Sequence, residues 1–170
     1  MRWRKALMTA PYSAKAVANY FLDLAKAKGE SLDPMKLQKL VYFAHGWFLA
    51  VHGKPLLNEE VQAWDYGPVI ATLYHEFKDY GSGPIDDYAY EFSPTALEKP
   101  VIPPEDQGTI AVLNRIWEVY GKYSGIQLSN MTHAVGAPWR KALDGREGLR
   151  SVSIPNDLIR EHFVAKAKAA

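Results

Sequence analysis

The stretch "KLQKLVYFAHGWFLAVHG", residues 36–53, constrains this 170-residue chain more than any other. From Leu40 to Gly53 it carries no formal charge and is interrupted only by His45 and His52. A membrane span needs roughly 20 apolar residues, whereas a run of about 10–14 marks a buried core helix. Asp33 followed by Pro34 supplies an N-cap and a proline at the first helical position, so the helix starts there and ends near His52 or Gly53. At about 100° per residue, Gln38, Tyr42, His45, Leu49 and His52 share one stripe, and Leu37, Val41, Ala44, Phe48 and Val51 a second. A third holds Lys39, Phe43, Gly46 and Ala50, whose two small residues let a neighbouring backbone approach. No stripe is strongly polar, so other helices must surround this one. Gln38, Tyr42 and His45 then form a polar seam that needs partners.

The remaining elements follow from caps and spacing. Ser13 caps a helix carrying Val17, Tyr20, Phe21 and Leu24 on one face, with Gly29 as its stop. "EVQAWDYGP" reads as a short strand leading into a turn, and Gly67-Pro68 opens a third helix with Val69, Leu73 and Phe77 on one face. In "YAYEF", period-two alternation puts Tyr88, Tyr90 and Phe92 on one side of a second strand. Glu105 and Asp106 suit the first turn of a fourth helix with Ile110, Leu113, Trp117 and Tyr120 as its stripe. Ser124 with Gln127 is a capping-box pattern for a fifth, and Pro138 opens a further turn closed by Gly145. "LRSVSI" reads as a third strand, and a last helix starts near Pro155. The expectation is a single mainly α domain: about six helices around a buried central helix, with a small sheet of two or three short strands. It spans residues 13–165, between a loosely attached tail over 1–12 and a frayed tail over 166–170.

Composition narrows the chemistry. No cysteine is present, which excludes disulfides, thiolate metal sites and a cysteine nucleophile. It also fits a reducing cytoplasm, the expected location. A net charge of +1 gives no general pull toward nucleic acid. The N-terminal "MRWRKALMTA" is basic, but its apolar part is too short for a signal peptide. His75-Glu76 begins like a zincin helix, yet Asp79 stands where the second histidine belongs. "GSGPID" lacks the third glycine of a dinucleotide fingerprint and the Lys-Ser/Thr of a phosphate loop. No catalytic residue, cofactor or metal is therefore assigned. His45 and His52 lie about 10 Å apart along the helix axis, too far to share one metal directly. His133, at a helix end in "MTHAVG", suits an interaction with that helix's C-terminus.

Three segments resemble a known family: "MKLQKLVYFAHGWFLA" (35–50), "AWDYGPVIATLYHEF" (63–77) and "LSNMTHAVGAPWRKA" (128–142). In order and spacing they are similar to the Panacea domain, also called the SocA-like domain, of phage and mobile-element proteins. The resemblance covers residues 13–143. Its matching positions are Leu37, Gln38, Lys39, Leu40 and Tyr42; Trp64, Tyr66, Gly67, Pro68 and Val69; and Thr132, His133, Pro138 and Trp139. It implies a non-enzymatic antitoxin of a two-gene toxin–antitoxin system. Such a protein binds and neutralises a cognate protein toxin, by occlusion or by presenting it to a host protease. Lys39, Tyr66 and His133 have no purely apolar role, so a polar cluster joining the second helix, the "YGP" turn and the "TH" helix end is expected. Tyr88, Tyr90, Trp139 and Arg140 are the candidate partner-binding residues, because aromatics and arginine dominate interface hot spots. Two other classes fit the sequence: a phage-encoded adaptor that binds host proteins, and a small metal-dependent or histidine-based hydrolase using His45, His75 or His133.

Overall fold

The computed structural model describes residues 9–170. The central element is helix α2 (Pro34–His52), opened by the Asp33 carboxylate on the Lys36 N–H and closed by Gly53 in the left-handed conformation. Twelve of its nineteen residues are buried, on every side of the helix. It contacts α1 (Ala14–Ala27), α3 (Ala71–Phe77), α4 (Gln107–Tyr120), α5 (Gly125–Thr132) and α7 (Asn156–Ala169). The apolar run is thus a rod enclosed by the other helices, and among the described residues no helix is long and apolar enough to cross a membrane.

The small-residue stripe has a definite use. A Cβ on Gly46 would fall 2.1 Å from the Phe163 ring, so α7 docks an aromatic ring where a backbone approach was expected. Phe163 also meets Tyr42, Phe43 and Trp47 edge-on, and Phe43 stacks on Tyr120 of α4 at 4.3 Å. The tail expected over 166–170 continues α7 to Ala169, and the Lys166 ammonium lies over the Phe43 ring.

Antiparallel strands β1 (Val61–Trp64), β2 (Gly67–Val69) and β5 (Val152–Ile154) form a sheet in the order β2-β1-β5. Helix α6 (Pro138–Leu143) packs on β1 and β5. Gly67-Pro68 therefore does not open α3, as the sequence suggested. Gly67 sits at φ +110°, outside the helical region, and Pro68 is tolerated because β2 is an edge strand. The third helix begins only at Ala71, after Ile70.

The second strand is also shorter than the alternation implied. Only Glu91–Phe92 (β3) forms a ladder, with Leu97–Glu98 (β4). Upstream, the buried Ala89 has its N–H and C=O taken by the side-chain amide of Asn19 on α1, at 2.8 and 3.0 Å. A side chain replaces the neighbouring strand there. On α4 the buried face is Thr109, Leu113, Ile116 and Tyr120, with Ile110 and Trp117 half-buried beside it. Near the N-terminus Ala10 and Tyr12 are buried, and the Tyr12 backbone bonds both Leu56 and Asn58. The segment read as a tail over 1–12 is thus docked by residue 10, and its residues 1–8 lie outside the described part.

Candidate functional site

The family-like segments meet at one edge of the sheet. An edge strand presents unpaired N–H and C=O groups at alternate residues, and burying them without partners is costly. Here β2 and Ile70 are buried under α2 and α5, and side chains bond backbone groups at the alternate positions 66, 68 and 70. The Ser129 hydroxyl donates to Tyr66 O at 2.9 Å, and the Lys39 ammonium donates to Pro68 O at 3.0 Å. The Gln38 amide closes both groups of Ile70, donating to its carbonyl at 2.9 Å and accepting from its N–H at 3.0 Å. Pro68 needs no fourth partner because it has no N–H. Successive residues Gln38 and Lys39 on α2, with Ser129 on α5, thus play the part of a missing strand.

The end of α5 tightens this junction. Ser129 O accepts from both the Thr132 hydroxyl and His133 Nδ1, each at 2.6 Å. Gly67 faces that turn: a Cβ there would lie 2.7 Å from Thr132 Oγ1 and 3.1 Å from the Lys39 ammonium. Glycine is required twice over, by φ and by space. The His133 ring meets Trp139 edge-on at 4.2 Å, and the Trp139 indole N–H donates to Trp64 O at 2.6 Å, pinning the end of β1. Arg140 donates through Nε to His133 O.

Lys39 is 2% exposed, and its ammonium has a backbone carbonyl in place of a carboxylate partner. Burial lowers its pKa to about 8, because desolvation penalises the charged form. Burial likewise lowers the pKa of His45, which is fully enclosed and bonded through Nε2 to Asn156 Oδ1 at 2.9 Å, while its Nδ1 has no partner among the described residues. That neutral imidazole joins α2 to the first residue of α7.

The expected polar cluster is present, with one change. Lys39 and His133 contribute side chains, but Tyr66 contributes only its carbonyl; its ring is 72% exposed. Leu37, Leu40, Tyr42 and Val69 are buried core, and Pro138 starts α6. Sequence reasoning missed Ser129, Asn156 and Phe163. Ser129 stood four residues before His133, the helical spacing that lets both reach one turn. Asn156 and Phe163 lie in a polar C-terminal helix with no family-like motif.

The three histidines considered for catalysis are not assembled. His45 faces α7, His75 lies against Tyr74 on α3, and His133 lies against Trp139. Among the described residues no cluster of three His, Asp or Glu could hold a metal. The partner-binding candidates form two groups. Tyr88 donates to Asp23 of α1 at 2.6 Å and carries the Lys99 ammonium 3.4 Å over its ring; Tyr90 bonds Asp87 through its hydroxyl and Glu76 through its N–H. Trp139 is half-buried in the junction, and Arg140 is exposed beside it.

Fold and junction together define a helical domain whose polar motif residues clamp a β-hairpin onto a central helix. The sequence matches the family described as "Antitoxin SocA-like, Panacea domain" over residues 37–140, and the chain belongs to that family. The matched segment starts on α2 at Leu37 and ends on α6 at Arg140, so it spans the whole junction. The chain is also 38% identical, over 133 residues, to Antitoxin SocA of Caulobacter vibrioides (strain NA1000 / CB15N). That alignment covers 78% of this chain and 71% of the relative. No solved structure matches.

Proposed function

We propose that this protein is a non-enzymatic antitoxin of a two-gene toxin–antitoxin system, which neutralises a protein toxin in the cytoplasm by binding it directly. The observation that carries this reading is the 38% identity to Antitoxin SocA across most of both chains. The junction supports it from the physical side. Its lysine, glutamine and histidine are each engaged with backbone carbonyls, so the polar residues of the motif are used to hold the fold. Recognition then falls to side chains that reach the surface, of which the half-buried Tyr88 and Tyr90 and the exposed Arg140 at the rim of the junction are candidates. Trp139 acts indirectly, by fixing the helix that carries Arg140.

The test is co-expression with the product of the adjacent gene. Restored growth and co-purification of the two proteins are expected; growth arrest with no co-purification overturns the reading. Alanine at Tyr88, Tyr90 or Arg140 should weaken co-purification while leaving the melting temperature within a few degrees.

A further inference from the structure

The near-neutral total charge hides a sharp division along the chain. Residues 59–106 hold eleven acidic and two basic residues, whereas the remainder holds eight acidic and eighteen basic. This acidic segment includes the β3–β4 ribbon. Between the ribbon, the start of α1 and α3 lies a groove of about 610 Å³. Glu59, Glu76 and Glu91 line it, with Lys15 as the cation among them. That cation is already engaged, with Glu76 at 2.9 Å and Tyr90 O at 2.7 Å, so among the described residues two carboxylates are left without a cation. Glu59 accepts the Ala14 N–H at the start of α1 and the Thr72 hydroxyl, which hold it in place.

On the ribbon side the groove adds an apolar pair beside Glu91. Phe92 and Leu97 face each other across β3 and β4 and are 89% and 56% exposed. A two-stranded ribbon with two residues per strand is marginal in water on its own, and paired exposed apolar side chains mark an interaction site. The ribbon is nevertheless fixed to the groove, because Lys15 and Glu76 bond the carbonyl and N–H of Tyr90 immediately before it. The apolar pair is held out on a fixed mount.

We propose that this groove is a protein-docking surface, and that its occupant is a basic segment of the partner with apolar side chains between its cations. Lysine or arginine of that segment meets Glu59 and Glu91, and its apolar side chains cover Phe92 and Leu97. Charge complementarity selects this occupant; the same carboxylates repel a nucleic acid backbone. That the partner is a toxin rests on the antitoxin reading, while the surface itself rests on the groove.

Two labelled synthetic peptides test it on the full-length protein, one alternating arginine and leucine and one alternating glutamate and leucine. Fluorescence anisotropy measures affinity, and backbone NMR shifts locate the peptide. The arginine peptide should bind with shifts at residues 72–76 and 90–98, the glutamate peptide should not bind, and Glu91→Lys or Phe92→Ser should weaken binding tenfold or more. Equal binding of the two peptides, shifts confined elsewhere, or unchanged affinity in both variants overturns the proposal. Thermal melts confirm that the variants are folded. Growth rescue separates the two readings. If wild type and both groove variants rescue alike, the groove is wrong and the antitoxin reading stands. If wild type fails to rescue while the arginine peptide still docks in the groove, the antitoxin reading fails and the docking surface stands.

Discussion

The β1–β2 hairpin and the β3–β4 ribbon are both short antiparallel pairs, and the chain finishes them in opposite ways. Along the outer edge of β2 the carbonyls of Tyr66, Pro68 and Ile70 and the N–H of Ile70 have side-chain partners, from Ser129, Lys39 and Gln38. The ribbon is fixed only at its base, where Asn19 bonds Ala89 and Pro100 and Lys15 bonds Tyr90, and beyond that Phe92 and Leu97 project into solvent. The hairpin is closed by its own chain, and the ribbon keeps an exposed apolar pair. The most motif-rich region is then the one whose polar groups are already used within the chain.

Gly67→Ala should break the hairpin side hardest, because it adds strain at φ +110° and a contact 2.7 Å from Thr132 Oγ1. A loss of about 3 kcal/mol is expected by urea unfolding. Next comes Lys39, through pH. Its folded pKa of about 8 lies below the 10.5 of an unfolded lysine, so between these values the unfolded state binds more protons and stability rises with pH. Wild type should gain about 2 kcal/mol relative to Lys39→Met between pH 8 and 10, read as the difference between their urea midpoints. Tyrosine ionisation is common to both proteins and cancels in that difference. Parallel curves for the two proteins would show that the ammonium is not buried as described. Trp139→Phe keeps the ring but removes the donor to Trp64 O, and should cost about 1 kcal/mol by thermal melting. On the ribbon, Phe92→Ser should change stability by less than about 0.5 kcal/mol, because an exposed ring has little burial to lose. A ribbon variant that melted like Gly67→Ala would erase the contrast between the two regions.

Much of the junction was legible in advance, for identifiable reasons. Asp33-Pro34, Ser13 and the Ser124–Gln127 box mark helix starts by local hydrogen bonding, and the structure keeps all three. The periodicity of 36–53 showed a helix without a solvent face. The resemblance brought Lys39, Tyr66 and His133 together before any contact was known, although Tyr66 contributes only its carbonyl. What failed was strand length and extent. Gly67-Pro68 looks like a helix start locally, and only the sheet makes it an edge strand. "YAYEF" alternates, but Asn19, seventy residues earlier, takes the place of a neighbouring strand at Ala89. The groove had no signature in the sequence, because Lys15 and Glu59 meet Tyr90–Phe92 and Leu97 only through the fold.

The sequence by itself determined the central helix, the caps and the family, since these depend on short-range spacing and on motif order. Tertiary structure alone decided which polar side chains serve the fold and which remain for a partner. The physical reason is that a buried backbone group must be satisfied by whatever donor or acceptor reaches it. For Pro68 that donor is a lysine on another element, and for Ile70 both partners belong to one glutamine. Neither residue carries a local sign of that assignment, because the demand arises only when α2 covers the edge of the sheet.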